Sequence, residues 1–108
     1  MDQAFTYLED LAAELAEIPP DSIISRTIYQ DEQFKAILFG FAPGQELSEH
    51  TASQTALLYF VQGRAKLTLG DEESQAVPGT WVRMEPKLPH SIFAETTLVM
   101  LLVLFKTA

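Results

Sequence analysis

Beyond Pro19-Pro20 the chain is interrupted by turn signals at short intervals, and this spacing limits the folds open to it. Polar or glycine-containing breaks stand at Gln30-Asp31-Glu32-Gln33, Ala42-Pro43-Gly44-Gln45, Gly63-Arg64, Gly70-Asp71-Glu72 and Pro78-Gly79. Gly, Pro, Asn and Asp dominate turns because they accept or preset the dihedral angles that turns need. The runs between these breaks are rich in β-branched and aromatic residues and too short for stable helices. Strands are predicted over 22–28, 34–41, 46–51, 56–62, 65–69, 74–77, 80–84, 90–94 and 98–106. Short strands at this spacing specify an all-β barrel or sandwich.

Two of these runs lack the polar alternation of a strand with one face in water. Ala56-Leu57-Leu58-Tyr59-Phe60-Val61 is apolar throughout, and so is the stretch from Leu98 to Phe105. Strands of this kind must be covered on both faces. An N-terminal helix, a second copy of the chain, or both would supply the outer cover, and a two-fold homodimer of barrels packed back to back is the expected assembly. The helix is predicted over 2–17. Asp2 is its cap, Ala4, Ala12, Ala13 and Ala16 favour it, and Phe5, Leu8, Ala12 and Leu15 recur at helical spacing with Leu11 beside them. Pro19 and Pro20 end it, since neither can donate a backbone hydrogen bond. The expected organisation is a helix within 1–20 packed on a single β-barrel domain, 21–108.

With 108 residues the chain is long enough to bury one core. It has no cysteine, which removes disulfides, thiolate metal sites and cysteine nucleophiles together and fits a reducing, cytoplasmic setting. No basic, apolar leader pattern opens the sequence, so no signal peptide is expected. The longest apolar run, Leu98 to Phe105, is far short of the roughly 20 residues of a membrane-spanning helix. A net charge of −8 with no basic stripe repels phosphate backbones, so no nucleic-acid partner is expected. The first 21 residues carry six acids and neither Lys nor Arg, the pattern of a solvated face.

The stretch from Gly44 to Gly63 resembles the first motif of the cupin family, in which a glycine, five residues and His-x-His lead to a glutamate and a closing glycine. Gly44 is followed by five residues and His50; the second histidine slot holds Ala52, the glutamate slot Ala56, and Gly63 closes the frame. The second cupin motif is matched by Gly79 and His90 at the family's separation. Its inner proline slot holds Glu85 with Pro86 displaced by one, its inner glycine slot Lys87, and its asparagine slot Ala94. The resemblance extends over 34–105. It implies a double-stranded β-helix, or jelly-roll, barrel with any site in the barrel mouth.

In metal-binding cupins the two motifs supply three histidines and a glutamate to one divalent ion such as zinc, iron, manganese or nickel. Here only His50 and His90 match, and the chain has no other histidine. Two imidazoles make a poor site alone, because divalent transition metals usually take three or more protein ligands. Strand parity puts Glu46 on the face of His50, as a carboxylate third ligand, while Gln54 in the following loop is within reach of the mouth. Parity also turns Ala52, Ala56, Leu58, Phe60, Ile92 and Ala94 inward, a small apolar wall that gives Phe60 a place against a ligand. The expected ligand-binding set is therefore His50, His90, Glu46, Gln54 and Phe60, with His50 and His90 as metal ligands if an ion is held. Three functions fit this set. They are binding of a small molecule in the barrel, a metal-dependent cupin enzyme of dioxygenase or isomerase type with a reduced His50/His90 ligand set, and a structural or interaction scaffold. A histidine with a pKa near neutrality could also act as a general base.

Overall fold

The computed structural model describes residues 4–15 and 17–106. Nine strands follow one another: β1 (Ile23–Gln30), β2 (Phe34–Phe41), β3 (Glu46–His50), β4 (Ala56–Gln62), β5 (Ala65–Leu69), β6 (Glu72–Ala76), β7 (Trp81–Met84), β8 (His90–Ala94) and β9 (Leu98–Phe105). They form two antiparallel sheets, one in the order β1-β2-β9-β4-β7 and the other in the order β3-β8-β5-β6. The sheets face each other as a jelly-roll barrel. No helix among the described residues is long and apolar enough to cross a membrane.

Period-two alternation assigns the inner face. Along β4, Ala56, Leu58 and Phe60 are buried while Leu57, Tyr59 and Val61 turn away. The other sheet answers with Ala65 and Leu67 from β5 and Ile92 and Ala94 from β8. Phe41, Leu58, Phe60, Leu67, Met84, Ile92, Leu98 and Met100 are all less than 2 % exposed or close to it, so the interior is filled by side chains. Removing such a side chain leaves a cavity that its neighbours only partly close.

The expected helix over 2–17 does not form. Among the described residues only Ala12–Glu14 is helical, as a single 3-10 turn. Asp10 accepts a hydrogen bond from Ala12 N at 3.1 Å through its side chain, and Ala13 N and Glu14 N reach back only three residues, to Asp10 and Leu11. Local side-chain bonding of this sort competes with helix propagation, and a short isolated helix is marginal in any case. Leu15 is already extended, with ψ 115°. The segment instead lies on the outer face of the five-stranded sheet. A Cβ at Gly40 would sit 2.8 Å from the side chains of both Leu15 and Ile18, so the bare backbone of β2 makes room for them. Leu38, on the same face as Gly40, is fully buried beneath this cover. Arg26 of β1 fastens it, with Nη1 donating to the Glu14 carbonyl at 2.8 Å and pairing with its carboxylate at 3.1 Å. Asp2 and Ala16 lie outside the described residues.

Strand edges moved where turn chemistry was tighter than expected. β1 continues to Gln30 because Asp31 closes the β1–β2 turn alone, its Oδ1 accepting from Gln33 N and Phe34 N at 2.7 and 3.0 Å. β6 starts at Glu72, paired with Leu69, leaving only Gly70 and Asp71 in the turn. Gly63, which closes the first motif, has a structural reason to be glycine. Its φ is +87°, and a Cβ there would overlap the backbone carbonyl oxygen of Thr97. Gly63→Ala is expected to destabilise the fold by about 2–4 kcal/mol, from left-handed strain plus a backbone clash that no rotamer relieves. Urea unfolding should show a lower midpoint with an unchanged slope.

Candidate functional site at the barrel mouth

His50 ends β3 and His90 begins β8, and the two are cross-strand partners. Between Leu47, which faces Ile92, and His50, which faces His90, β3 spends three residues where β8 spends two. This irregularity is a β-bulge, and a bulge reverses strand parity beyond it. Leu47 packs against the core, and His50 still turns to the side of His90. The parity argument for Glu46 fails for the same reason. Counted across the bulge, Glu46 belongs to the opposite face. It is exposed, paired with the outward Phe93, and shares the outer surface of the four-stranded sheet with Lys66, Thr68, Glu73 and Ser91.

The imidazole rings lie with centroids 4.1 Å apart and planes tilted by 56°. Each is oriented by the same device. His50 Nδ1 is 2.8 Å from the Ser48 carbonyl, and His90 Nδ1 is 2.9 Å from the Leu88 carbonyl. A carbonyl only accepts, so each Nδ1 carries the proton, and in the neutral ring Nε2 is left with a free lone pair. His90 is 6 % exposed, yet no buried side-chain nitrogen or oxygen among the described residues lacks a partner. Among the described residues its Nε2 has no hydrogen-bond partner, so that atom reaches the surface at the mouth. His50 is exposed. The loops carrying the rings are tied together by Lys87 N donating to Ala52 O at 2.7 Å, with Lys87 at φ +70°. A second bond, from Gly70 N to Pro89 O at 2.8 Å, fixes the residue before His90.

The other expected residues do not join the pair. Phe60 is completely buried in the core and offers no surface to a ligand. Gln54 is half-buried in the β3–β4 loop, where its side-chain oxygen accepts a long bond of 3.4 Å from Ser53, and no hydrogen bond links it to either histidine. Ala52 is half-buried, and Ala56, in the glutamate slot, is 1 % exposed and paired between Met84 and Leu104. Among the described residues no group of three or more His, Asp or Glu is placed to hold a metal ion. The donor set is two nitrogens. That does not fit the resident four-ligand ion of metal-binding cupins. Sequence reasoning missed the bulge, since neither Ser48 nor Glu49 marks it, and the anchoring carbonyls of Ser48 and Leu88, since any residue type supplies a carbonyl.

Burial lowers the His90 pKa from the ordinary histidine value. The Leu88 carbonyl opposes this, and the charge of His50 adds to it. The unfolded chain therefore takes up a proton at His90 more readily than the folded one. The resulting stability is fully present above the unfolded pKa of about 6.5 and is lost as pH falls through the folded value. Two-dimensional NMR of the ring protons should show His90 titrating below 6.5, and the melting temperature should fall across that window. In His90→Gln this part of the pH dependence should vanish.

The cupin domain family model matches residues 37–105, well over half of the chain. No curated protein matches. Among solved structures, a conserved protein of unknown function from Streptococcus pyogenes is similar at 28 % identity and TM-score 0.83, over 100 % of this chain and 92 % of that one. A cupin superfamily protein from Desulfitobacterium hafniense matches at 23 % identity and TM-score 0.83, over 99 % and 95 %. An RmlC-like cupin from Shewanella frigidimarina matches at 15 % identity and TM-score 0.79, over 98 % and 93 %. The family match and the jelly-roll barrel agree with the glycine and histidine spacing read from the sequence, and the chain belongs to the cupin family.

Proposed function

We propose that the protein binds a small molecule at the barrel mouth through the Nε2 atoms of His50 and His90. One observation carries this reading: both rings spend their Nδ1 protons on backbone carbonyls, which leaves a free Nε2 acceptor on each of two neighbouring rings. Paired acceptors favour a ligand group that donates twice, such as a vicinal diol or a primary amide, over a carboxylate. The depressed pKa of His90 keeps its acceptor free at neutral pH. Because the interior is filled, the ligand sits on the mouth and does not enter the barrel. The cysteine-free chain suits a cytoplasmic setting. Xylitol and acetamide, titrated against acetate and followed through the ring nitrogens, test the idea. Saturable Nε2 shifts with the donors, absent with acetate and at least ten-fold weaker in His50→Ala, are expected; equal shifts in wild type and His50→Ala would refute it.

A metal-assisted reading rests on the same lone pairs, with water or ligand oxygens completing the ion's shell. Zinc or nickel that raises the melting temperature of wild type but not of His50→Ala would favour it over direct binding.

A scaffold role is favoured by the packed interior and by the second face of the five-stranded sheet. The N-terminal segment covers the β2 side of that face. Further across, Tyr59 is 41 % and Trp81 60 % exposed, and the two are cross-strand partners. Leu57, Val61, Leu101 and Val103 lie half-buried around them. A second copy of the chain, packed back to back, is the occupant that would cover this surface. Light scattering should then give twice the 12.0 kDa chain mass, and Tyr59→Glu should return the monomer with an unchanged circular dichroism spectrum.

A further inference from the structure

A separate groove, of about 510 Å³, lies between the N-terminal segment and the β1–β2 hairpin. This is within the roughly 300–1,000 Å³ range of small-molecule sites. Phe5, Leu8 and Leu11 form one wall, and Ile28, Tyr29 and Phe34 the other. Among the described residues the lining contains no charged side chain, and its aromatic rings are incompletely used. Phe5 is 68 % exposed and Tyr29 37 %. Tyr29 and Phe34 are held against each other, centroids 5.3 Å apart, and Phe34 rests in turn on Phe105 at 6.3 Å. The far wall is therefore a fixed aromatic surface.

Carboxylates flank the groove on both walls. Exposed Glu9 and Asp10 sit in the N-terminal segment between lining residues Leu8 and Leu11, and Asp31 and exposed Glu32 follow Tyr29 in the hairpin turn. Of the cations near these segments, Arg26 is paired with Glu14, Lys106 Nζ donates to the Asp31 carbonyl at 2.6 Å, and Lys35 follows Phe34 in β2 and so belongs to the opposite face of the strand. The Tyr29 hydroxyl donates to the Asp31 carboxylate at 3.0 Å, which pushes electron density toward the Tyr29 ring. An aromatic face is attractive to a cation, and more so when carboxylates stand behind it.

We propose that this groove binds a small organic cation with an apolar body, its charge held over the Tyr29 and Phe34 rings and its body against Phe5, Leu8, Leu11 and Ile28. The charge pattern selects this occupant. An anion of the same size is repelled by the flanking carboxylates, and a neutral molecule forgoes the ring and carboxylate attraction. The site is distinct from the histidine pair and independent of it.

The test uses the full chain and benzyltrimethylammonium, with benzyl alcohol as a neutral control and benzoate as an anionic one, followed by amide NMR. The expected result is saturable shifts at Phe5, Ile28, Tyr29 and Phe34 with the cation, binding at least ten-fold weaker for benzyl alcohol and none for benzoate. Phe34→Leu keeps apolar bulk and removes a ring, and should weaken the cation ten-fold or more while leaving core resonances in place. Phe5→Leu, at an exposed position, guards against a folding artefact and should weaken it several-fold. Added salt should weaken the cation further. Equal affinity for all three probes, or undiminished cation binding in both variants, would overturn the proposal. So would a groove closed to the cation in which Phe5→Leu changes the sedimentation coefficient, since a second copy would then be its occupant.

Discussion

β9 and β4, inner strands of the five-stranded sheet, are apolar on both faces, and the rest of the architecture answers that condition. The sheet's inner face, carried by Leu58, Phe60, Met84, Leu98 and Met100, is satisfied by the smaller sheet folding over it. Its outer face needs a different partner. Near β2 that partner is the chain's own N-terminal segment, seated by Leu15 and Ile18 against the bare backbone of Gly40 and pinned by Arg26 to Glu14. The segment gives up helical hydrogen bonds to do this. Half-burying the Leu15 and Ile18 side chains contributes on the order of 1 kcal/mol each, whereas a helix of this length would be marginal alone. Tertiary burial therefore decides the local conformation.

The same hierarchy explains what could be read from the sequence. β2, β4, β5 and β8 fall where turn residues and the β-branched, apolar and aromatic runs between them put them, because both signals are local and agree. The glycine frame of the first motif was legible for a comparable reason: Gly63 is required by backbone geometry that no other residue fits. The N-terminal helix was misread because its apolar stripe is real but its target is a flat sheet, and spacing does not distinguish a continuous helix from a short turn with extended flanks. Glu46 was misplaced by one residue of bulge, which flips every parity assignment beyond it and leaves no compositional mark. Phe60 was correctly turned inward, but an inward residue in a filled barrel is core and not pocket.

The histidine pair follows from that bulge. An unbulged β3 with Leu47 inward would send His50 outward, and the two rings could not approach to 4.1 Å. The bulge brings them together, and the carbonyls two residues before each ring then fix the protons on Nδ1. Preset tautomers reduce the reorganisation that binding would otherwise require. The arrangement resembles the way metal-ligating histidines are oriented, but without the remaining ligands the same preorganisation serves any partner that can donate to two nitrogens.

Ala56 shows why the proposed site lies at the rim of the barrel. In the glutamate slot of the first motif its methyl group is packed between strands that bring Met84 and Leu104 alongside. A carboxylate there would have to be desolvated without a cation or donor to receive it, at a cost of several kcal/mol. The position has been absorbed into the core, and with it the depth that a metal site inside the barrel would need. His90 marks the boundary: its ring belongs to the interior, and its one accessible nitrogen does not. In the proposed binding mode, recognition depends on the exposed His50 beside it. A ligand held there is only partly withdrawn from water, which favours selection by hydrogen-bond geometry over tight burial.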